Sequence, residues 1–346
     1  MDTIHGLARE SLGLVHPATK FGPVIEIVDT ATGSGKTHIL YHIAALSTLP
    51  EMYLDTTLNG KAAAVIVLDN DGRFDVHRLR KVMESHIKRC CEGPNHVSEE
   101  DIASIIDSAL MHIHIYHPSS SENMISILEE VFVYLLDQTK HHSGQRRLDA
   151  ILIDSLGAFY WQDRMNELGP GSDGDQTGLG LDKTYRRLHE VLSKVCLKFG
   201  AFVVAANWGL RPINNLREGN LGTATNRSDR GCHVDLTSAK EVCMPLCQLP
   251  PSWSASVDYR FIVSRNRPPP FPHRITLENA RRMQLEREGA LRSIGFVGRL
   301  DHRSLRVELP PEPGWGGENG FKFHYQIAEQ GILFANDPDL LEHSVV

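Results

Sequence analysis

Apolar residues fall along the chain as short β-type runs alternating with stretches of helical period. Val24-Ile25-Glu26-Ile27-Val28 has the composition of a buried strand. It leads through Asp29–Thr37 into a stretch where Ile39, Leu40, Ile43, Ala44 and Leu46 recur at helical spacing. Ala62–Leu68 is a second strand-like run, closed by Asp69-Asn70-Asp71; Phe74, Leu79, Val82, Met83 and Ile87 mark the helix after it. Ser98 with Asp101 three residues on forms a variant capping box that opens another helix. Met111–Tyr116 alternates as a strand does, and Ile125, Leu128, Val131, Phe132, Leu135 and Leu136 share one helix face. Leu148–Asp154 and Ala201–Ala206 are further strands, separated by a Gly-rich loop, Asn166–Gly180, and a helix from Asp182 to Lys198.

This alternation predicts an α/β fold, a mostly parallel sheet with helices on both faces. Beyond residue 208 the pattern weakens. Trp208–Ser256 is polar, rich in Asn, Gly and Pro, and reads as a loop-rich insertion. Tyr259–Ser264 and Arg303–Leu309 read as strands, Pro310–Gly320 as a turn-rich linker, and Phe321–Ile327 with Gly331–Phe334 as a terminal hairpin. The expected plan is an extension over 1–20 and one core over 21–334, with insertions near 208–256 and 265–320. A tail follows over 335–346.

The first strand-to-helix junction carries chemistry. Thr30-Ala31-Thr32-Gly33-Ser34-Gly35-Lys36-Thr37 reads as a P-loop in the required strand–loop–helix context. Small residues let consecutive N–H groups curve around a phosphate at a helix amino terminus, whose dipole favours negative charge. Lys36 is expected to reach the β- and γ-phosphates of ATP, and the Thr37 hydroxyl to ligate Mg²⁺. Thr30 stands where the pattern has its first glycine, so a Cβ meets the loop entry. Ile151-Leu152-Ile153-Asp154 sits where a Walker B strand belongs, with Asp154 expected to hold the Mg²⁺ opposite Thr37. Asp69 and Asp71 are candidates to orient an attacking water, and Asn207 is a candidate γ-phosphate sensor. Each is equally readable as a strand-end turn former.

Composition narrows the class. The 346 residues carry 36 Lys plus Arg against 43 Asp plus Glu, a net charge of −7. That total argues against a chain that coats nucleic acid through bulk charge. No stretch approaches the ~20 apolar residues of a membrane span, and Met1–Lys20 lacks an apolar run of signal-peptide type. The six cysteines contain no paired C-x-x-C elements, and Cys232, His233, Cys243 and Cys247 match no common zinc-ligand spacing. His112, His114, His117, His141 and His142 read as strand-edge and loop residues.

The motif order resembles the RecA-type strand-exchange ATPases, and within them the eukaryotic recombinase paralogues. The residues that carry this are Leu68-Asp69-x-Asp71-x-x-Phe74-Asp75 with Arg78-Leu79, then Ile153-Asp154-Ser155-Leu156-x-Ala158-Phe159-Tyr160-Trp161-x-Asp163-Arg164. Phe323-His324-Tyr325-x-Ile327-x-Glu329-x-Gly331 fits the paralogues' final hairpin. The resemblance implies a RecA-like ATP-binding core acting in homologous recombination and double-strand-break repair in the nucleus. It implies assembly with other recombinase paralogues in a hetero-oligomer that assists on single-stranded DNA. It also implies that the helical amino-terminal DNA-binding domain of the full-length recombinase is missing.

Active members carry Glu where Asp71 stands and Gln where Trp208 stands. A carboxylate set back by one methylene is displaced by about an ångström, enough to cost ~100-fold in rate. Together with Thr30 these departures predict weak or absent hydrolysis. An active DNA-dependent ATPase is the alternative, and a small-molecule P-loop kinase is disfavoured because no Arg-rich lid follows the core.

In that fold two loops face DNA, here Gln162–Leu181 and Trp208–Ser256. The first holds only Arg164 beside Asp163, Glu167, Asp173 and Asp175. The second sets Arg211, Arg217, Arg227, Arg230 and Lys240 against Glu218, Asp229, Asp235 and Glu241. Neither is a strong DNA channel on charge. Residues 260–306 differ, with eleven Arg, no Lys and four acidic residues, a net of +7 that leaves −14 for the remainder. Arginine forks of this density suit phosphates or a partner's carboxylates.

Overall fold

The computed structural model describes residues 22–29, 33–91, 97–167, 179–210, 246–247, 249–266, 274–292, 294–301 and 322–334. In chain order the elements begin with β1 (Val24–Asp29), α1 (Lys36–Thr48), β2 (Met52–Tyr53), β3 (Thr56–Thr57), β4 (Ala64–Asp69), α2 (Val76–Cys90) and α3 (Glu99–Leu110). They continue with β5 (Ile113–Tyr116), α4 (Ser121–Leu136), β6 (Leu148–Asp154), α5 (Tyr160–Glu167), α6 (Leu179–Phe199), β7 (Phe202–Asn207) and β8 (Gly209–Leu210). The remainder is β9 (Leu246–Cys247), α7 (Pro251–Ser254), β10 (Tyr259–Arg265), α8 (Leu277–Arg282), α9 (Gln284–Arg292), β11 (Phe296–Leu300), β12 (Lys322–Ala328) and β13 (Gly331–Phe334).

Among the described residues nine strands form the main sheet, in the order β13-β12-β11-β10-β1-β7-β6-β4-β5. The six from β10 to β5 are parallel, and β11, β12 and β13 add antiparallel. This is the RecA-like α/β core that the motif order implied. Strand residues alternate between faces, as a pleat requires. Ile25, Ile27, Val65, Val67, Leu152 and Val204 pack with α1, α2 and α3 in one cluster. Val24, Ile66, Leu68, Ile151, Ile153 and Val203 pack with α4, α6 and Trp253 in the other. Helix starts follow their capping chemistry: the Ser98 hydroxyl accepts from the Asp101 N–H at 3.1 Å and donates to its carboxylate at 2.7 Å.

The carboxyl-terminal strands curl back over the P-loop helix. Phe323 and Tyr325 of β12 and Ile332 and Phe334 of β13 join the first cluster, and the Phe334 ring meets His42 of α1 edge-on at 5.6 Å. The β12–β13 turn is clamped to α2, where the Arg78 guanidinium donates to the carbonyls of Ala328 and Glu329 at 2.6 and 2.5 Å.

Three parts of the fold differ from the sequence expectation. The segment expected to be loop-like through Ser256 ends in α7, with Trp253 wholly buried, and β8 pairs with β9 before it. The first loop expected to face DNA begins as helix, because α5 runs to Glu167. The basic helix is two short helices, α8 and α9, and a strand at Phe296–Leu300 follows them. The strand expected at Arg303–Leu309, the linker over 310–320, the extension over 1–20 and the tail over 335–346 lie outside the described residues.

Candidate functional site

Among the P-loop positions, Gly33, Ser34, Gly35, Lys36 and Thr37 are described; Thr30, Ala31 and Thr32 lie outside the described residues. Gly33 and Gly35 have φ of 77° and 82°, the left-handed region that glycine enters without a Cβ penalty. Gly35 is the N-cap of α1 and offers no capping side chain. The first-turn N–H groups of α1 are therefore not tied to an N-cap side chain.

Thr37, the second residue of α1, donates its hydroxyl to Asp154 Oδ2 at 2.7 Å. The two positions read as Mg²⁺ ligands thus converge, from the P-loop helix and from the end of β6. Asp154 is buried. Burial raises its carboxyl pKa above the ordinary value and the Asp71 and Asp69 charges add to the shift, while the Thr37 hydrogen bond and Lys36 oppose it. A doubly charged cation between Thr37 and Asp154 would offset that cost. Mg²⁺ needs only one or two protein oxygens and fills its shell with phosphate and water, so the donor set fits it. Among the described residues no group of three or more His, Cys, Asp and Glu side chains is arranged to hold a metal alone.

Asp69 and Asp71 have separate roles. The Asp69 carboxylate accepts from the N–H groups of Arg73 and Phe74, both at 3.0 Å, and so shapes the turn after β4. Asp71 is half-exposed. Its N–H donates to the Asp154 carbonyl at 3.3 Å, which holds the two residues side by side. Asn207 is fully enclosed: its Nδ2 donates to Glu26 Oε1 at 3.0 Å, and its Oδ1 accepts from the Trp208 N–H at 2.8 Å.

Three groups of the site escaped sequence reading. Asp29, the last residue of β1, accepts from the Lys36 ammonium and from the Ser34 hydroxyl at 3.2 Å. Tyr325 donates its buried hydroxyl to the Ser34 carbonyl at 2.8 Å, and Ile327 lies against Gly35. The third is Glu26, wholly buried under the site, which also accepts from Trp253 Nε1 at 3.1 Å and Arg260 Nε at 2.6 Å. A carboxylate just before the loop was the only visible signal for Asp29. Tyr325 and Ile327, some 290 residues away, were legible as part of the expected terminal hairpin, but nothing signalled that this hairpin meets the loop.

The candidate DNA-facing residues are only partly among the described ones. Arg164 is paired with Glu167 at 3.3 Å, and Arg211, Arg217, Arg227, Arg230 and Lys240 lie outside the described residues. Within the Arg-rich stretch, Arg260 is committed to Glu26, Arg265 lies over the Phe296 ring at 5.9 Å, and exposed Arg282 pairs with Glu278. Among the described residues no helix is long and apolar enough to cross a membrane.

No family model matches the chain. It is similar to a DNA repair protein XRCC2 homolog of Arabidopsis thaliana, 25% identical over 273 residues, covering 71% of this chain and 69% of that protein. It is also similar to DNA repair protein XRCC2 of Mus musculus, 23% identical over 234 residues, covering 68% of this chain and 69% of the mouse protein. Both agree with the likeness carried by the motifs around Asp71 and Asp154.

Proposed function

From a chain that is XRCC2-like in sequence and RecA-like in fold, we propose an accessory subunit in DNA repair by homologous recombination. It binds Mg·ATP, turns it over weakly or not at all, and assembles in the nucleus with other recombinase paralogues. Its contact with single-stranded DNA is made mainly through that assembly. The observation that carries the nucleotide part is the 2.7 Å contact between Thr37 and Asp154, since a helix residue and a strand end 117 positions apart meet beside a glycine-built phosphate loop.

In this reading the N–H groups of Gly33, Ser34 and Gly35 hold phosphate oxygens, and Lys36 neutralises their charge. Thr37 and Asp154 hold Mg²⁺, which screens the phosphates. Asp71 is the only described carboxylate beside Asp154 not consumed by turn formation, and its short side chain limits how well it can aim a water. Weak turnover follows from that reach. The −14 balance outside residues 260–306 supports a subunit whose DNA affinity comes from its company.

Calorimetry of Mg·ATP on the purified chain, alone and with a recombinase paralogue, tests the reading. Binding should be lost in Lys36→Ala. Single-turnover hydrolysis is then measured with and without single-stranded DNA. Strong DNA-stimulated turnover abolished by Lys36→Ala would replace the accessory reading with an active ATPase. Failure to form a complex with any recombinase paralogue would remove the assembly part.

A further inference from the structure

The Lys36 ammonium, the one cation of the phosphate loop, is engaged by a carboxylate of the same chain. Asp29 closes β1, with its side chain 6% exposed, and its Oδ2 accepts from both Lys36 and Ser34. Its other oxygen, Oδ1, accepts from the Gly209 N–H at 3.2 Å. Gly209 begins β8, which pairs antiparallel with β9, so the two strands form a short two-stranded stem. The Asp29 carboxylate therefore bridges the phosphate lysine and this stem.

A carboxylate and a phosphate oxygen are alternative partners for an ammonium, and a fixed negative charge beside the loop also repels an incoming polyphosphate. We infer that Asp29 is an internal competitor for Lys36, a positioning residue that weakens polyphosphate binding and links it to the β8–β9 stem. A polyphosphate that takes Lys36 leaves Asp29 with Ser34 and Gly209 alone. The Gly209 N–H then faces a carboxylate freed from its counter-charge, so its hydrogen bond strengthens. The inference rests on the P-loop reading given above.

Its test is calorimetry on the full chain with inorganic tripolyphosphate and with Mg·ATP, comparing wild type, Asp29→Asn, Asp29→Ala, Lys36→Ala and the Lys36→Ala/Asp29→Asn double variant. Thermal melts confirm that each variant folds. Loss of a charge-assisted partner should tighten both ligands by about 10-fold or more in Asp29→Asn. The gain requires the Lys36 ammonium, so the double variant should bind no more tightly than Lys36→Ala alone. In wild type, amide exchange at Gly209 should slow when tripolyphosphate binds, and that slowing should be lost in Asp29→Asn. Asp29→Ala separates charge from shape, and it too should bind more tightly than wild type.

Wild-type binding that folded Asp29→Asn and Asp29→Ala leave unchanged or weaken overturns the inference alone and leaves the P-loop reading standing. Failure of wild type and every variant to bind either ligand overturns both.

Discussion

Thr37 and Asp154 are joined at 2.7 Å across two elements that share no local sequence, and the joint charges the protein for its site. Asp154 is buried with Asp71 and Asp69 beside it, and its pKa is raised. A raised folded-state pKa means the folded protein holds the proton more tightly than the unfolded chain. That stability is fully present below the unfolded value of 3.8 and is lost as pH rises through the folded value. At pH 7 the ionised carboxylate is therefore a cost. Asp154→Asn should raise the melting temperature by a few degrees at pH 7 while removing the Mg²⁺ dependence of nucleotide binding. Thermal melts with and without Mg·ATP measure both, and a lowered melting temperature would refute the electrostatic account.

Gly35 has two separable constraints. Its φ of 82° strains any residue with a Cβ by ~1–2 kcal/mol. That Cβ would also fall 2.2 Å from Ile327 Cδ1. Gly35→Ala should therefore destabilise by more than the backbone term alone. In the Gly35→Ala/Ile327→Ala pair the clash goes and the strain stays, so the double loss should be smaller than the sum of the single losses. Urea unfolding of the four proteins gives the cycle, and strict additivity would mean the β12 strand does not press on the P-loop.

Glu26 links β1 to β7, β10 and α7 through Asn207, Arg260 and Trp253, all beneath the site. Glu26→Ala would leave the Arg260 charge, 15% exposed, without its carboxylate; loss of one member of a buried pair costs ~3–5 kcal/mol. Trp253→Phe keeps most of the ring volume and deletes one donor, so it should cost ~1–3 kcal/mol. Chemical denaturation should rank Glu26→Ala well above Trp253→Phe. A reversed order would mean that Trp253 packing, rather than the charge pair, anchors α7.

Sequence pattern reached the parts of this architecture that repeat. In α2 the residues Leu79, Val82, Met83 and Ile87 were readable from spacing because one helix face is buried along its whole length. Trp253 was not readable, since one buried aromatic between Pro251 and Ser254 has no period. Neither was α5, whose eight residues bury nothing. β11 is interrupted by Gly298, where an added Cβ would lie 2.1 Å from the Phe323 ring, a packing need that looks like a turn signal in sequence. For the site, Thr37 and Asp154 carried motif chemistry. The Lys36–Asp29 pair and the Tyr325 brace are tertiary and showed no local pattern.

His112 and His114 lean on one hydroxyl: His112 Nδ1 and His114 Nε2 each lie 2.9 Å from Ser143 Oγ. The far nitrogen of His114 is 3.1 Å from the Tyr134 hydroxyl, and His141, edge-on to His114 at 5.4 Å, accepts from the Ser143 N–H at 3.0 Å. Burial lowers both pKa values to about 4; Arg146, His114, His142 and His141 add to the shift of His112, and His141 to that of His114. A depressed folded-state pKa means the unfolded chain binds the proton more readily. The stability these groups contribute is thus present above 6.5 and is lost as pH falls toward about 4. His112→Asn and His114→Gln each remove one titrating ring while retaining an amide that can reach Ser143. Each should flatten the fall of melting temperature between pH 6.5 and 4, whatever it does to stability at pH 8. Melting curves across that range check this, and a slope unchanged from wild type in both variants would place the acid sensitivity elsewhere, with His38, also lowered to about 4, the next group to replace.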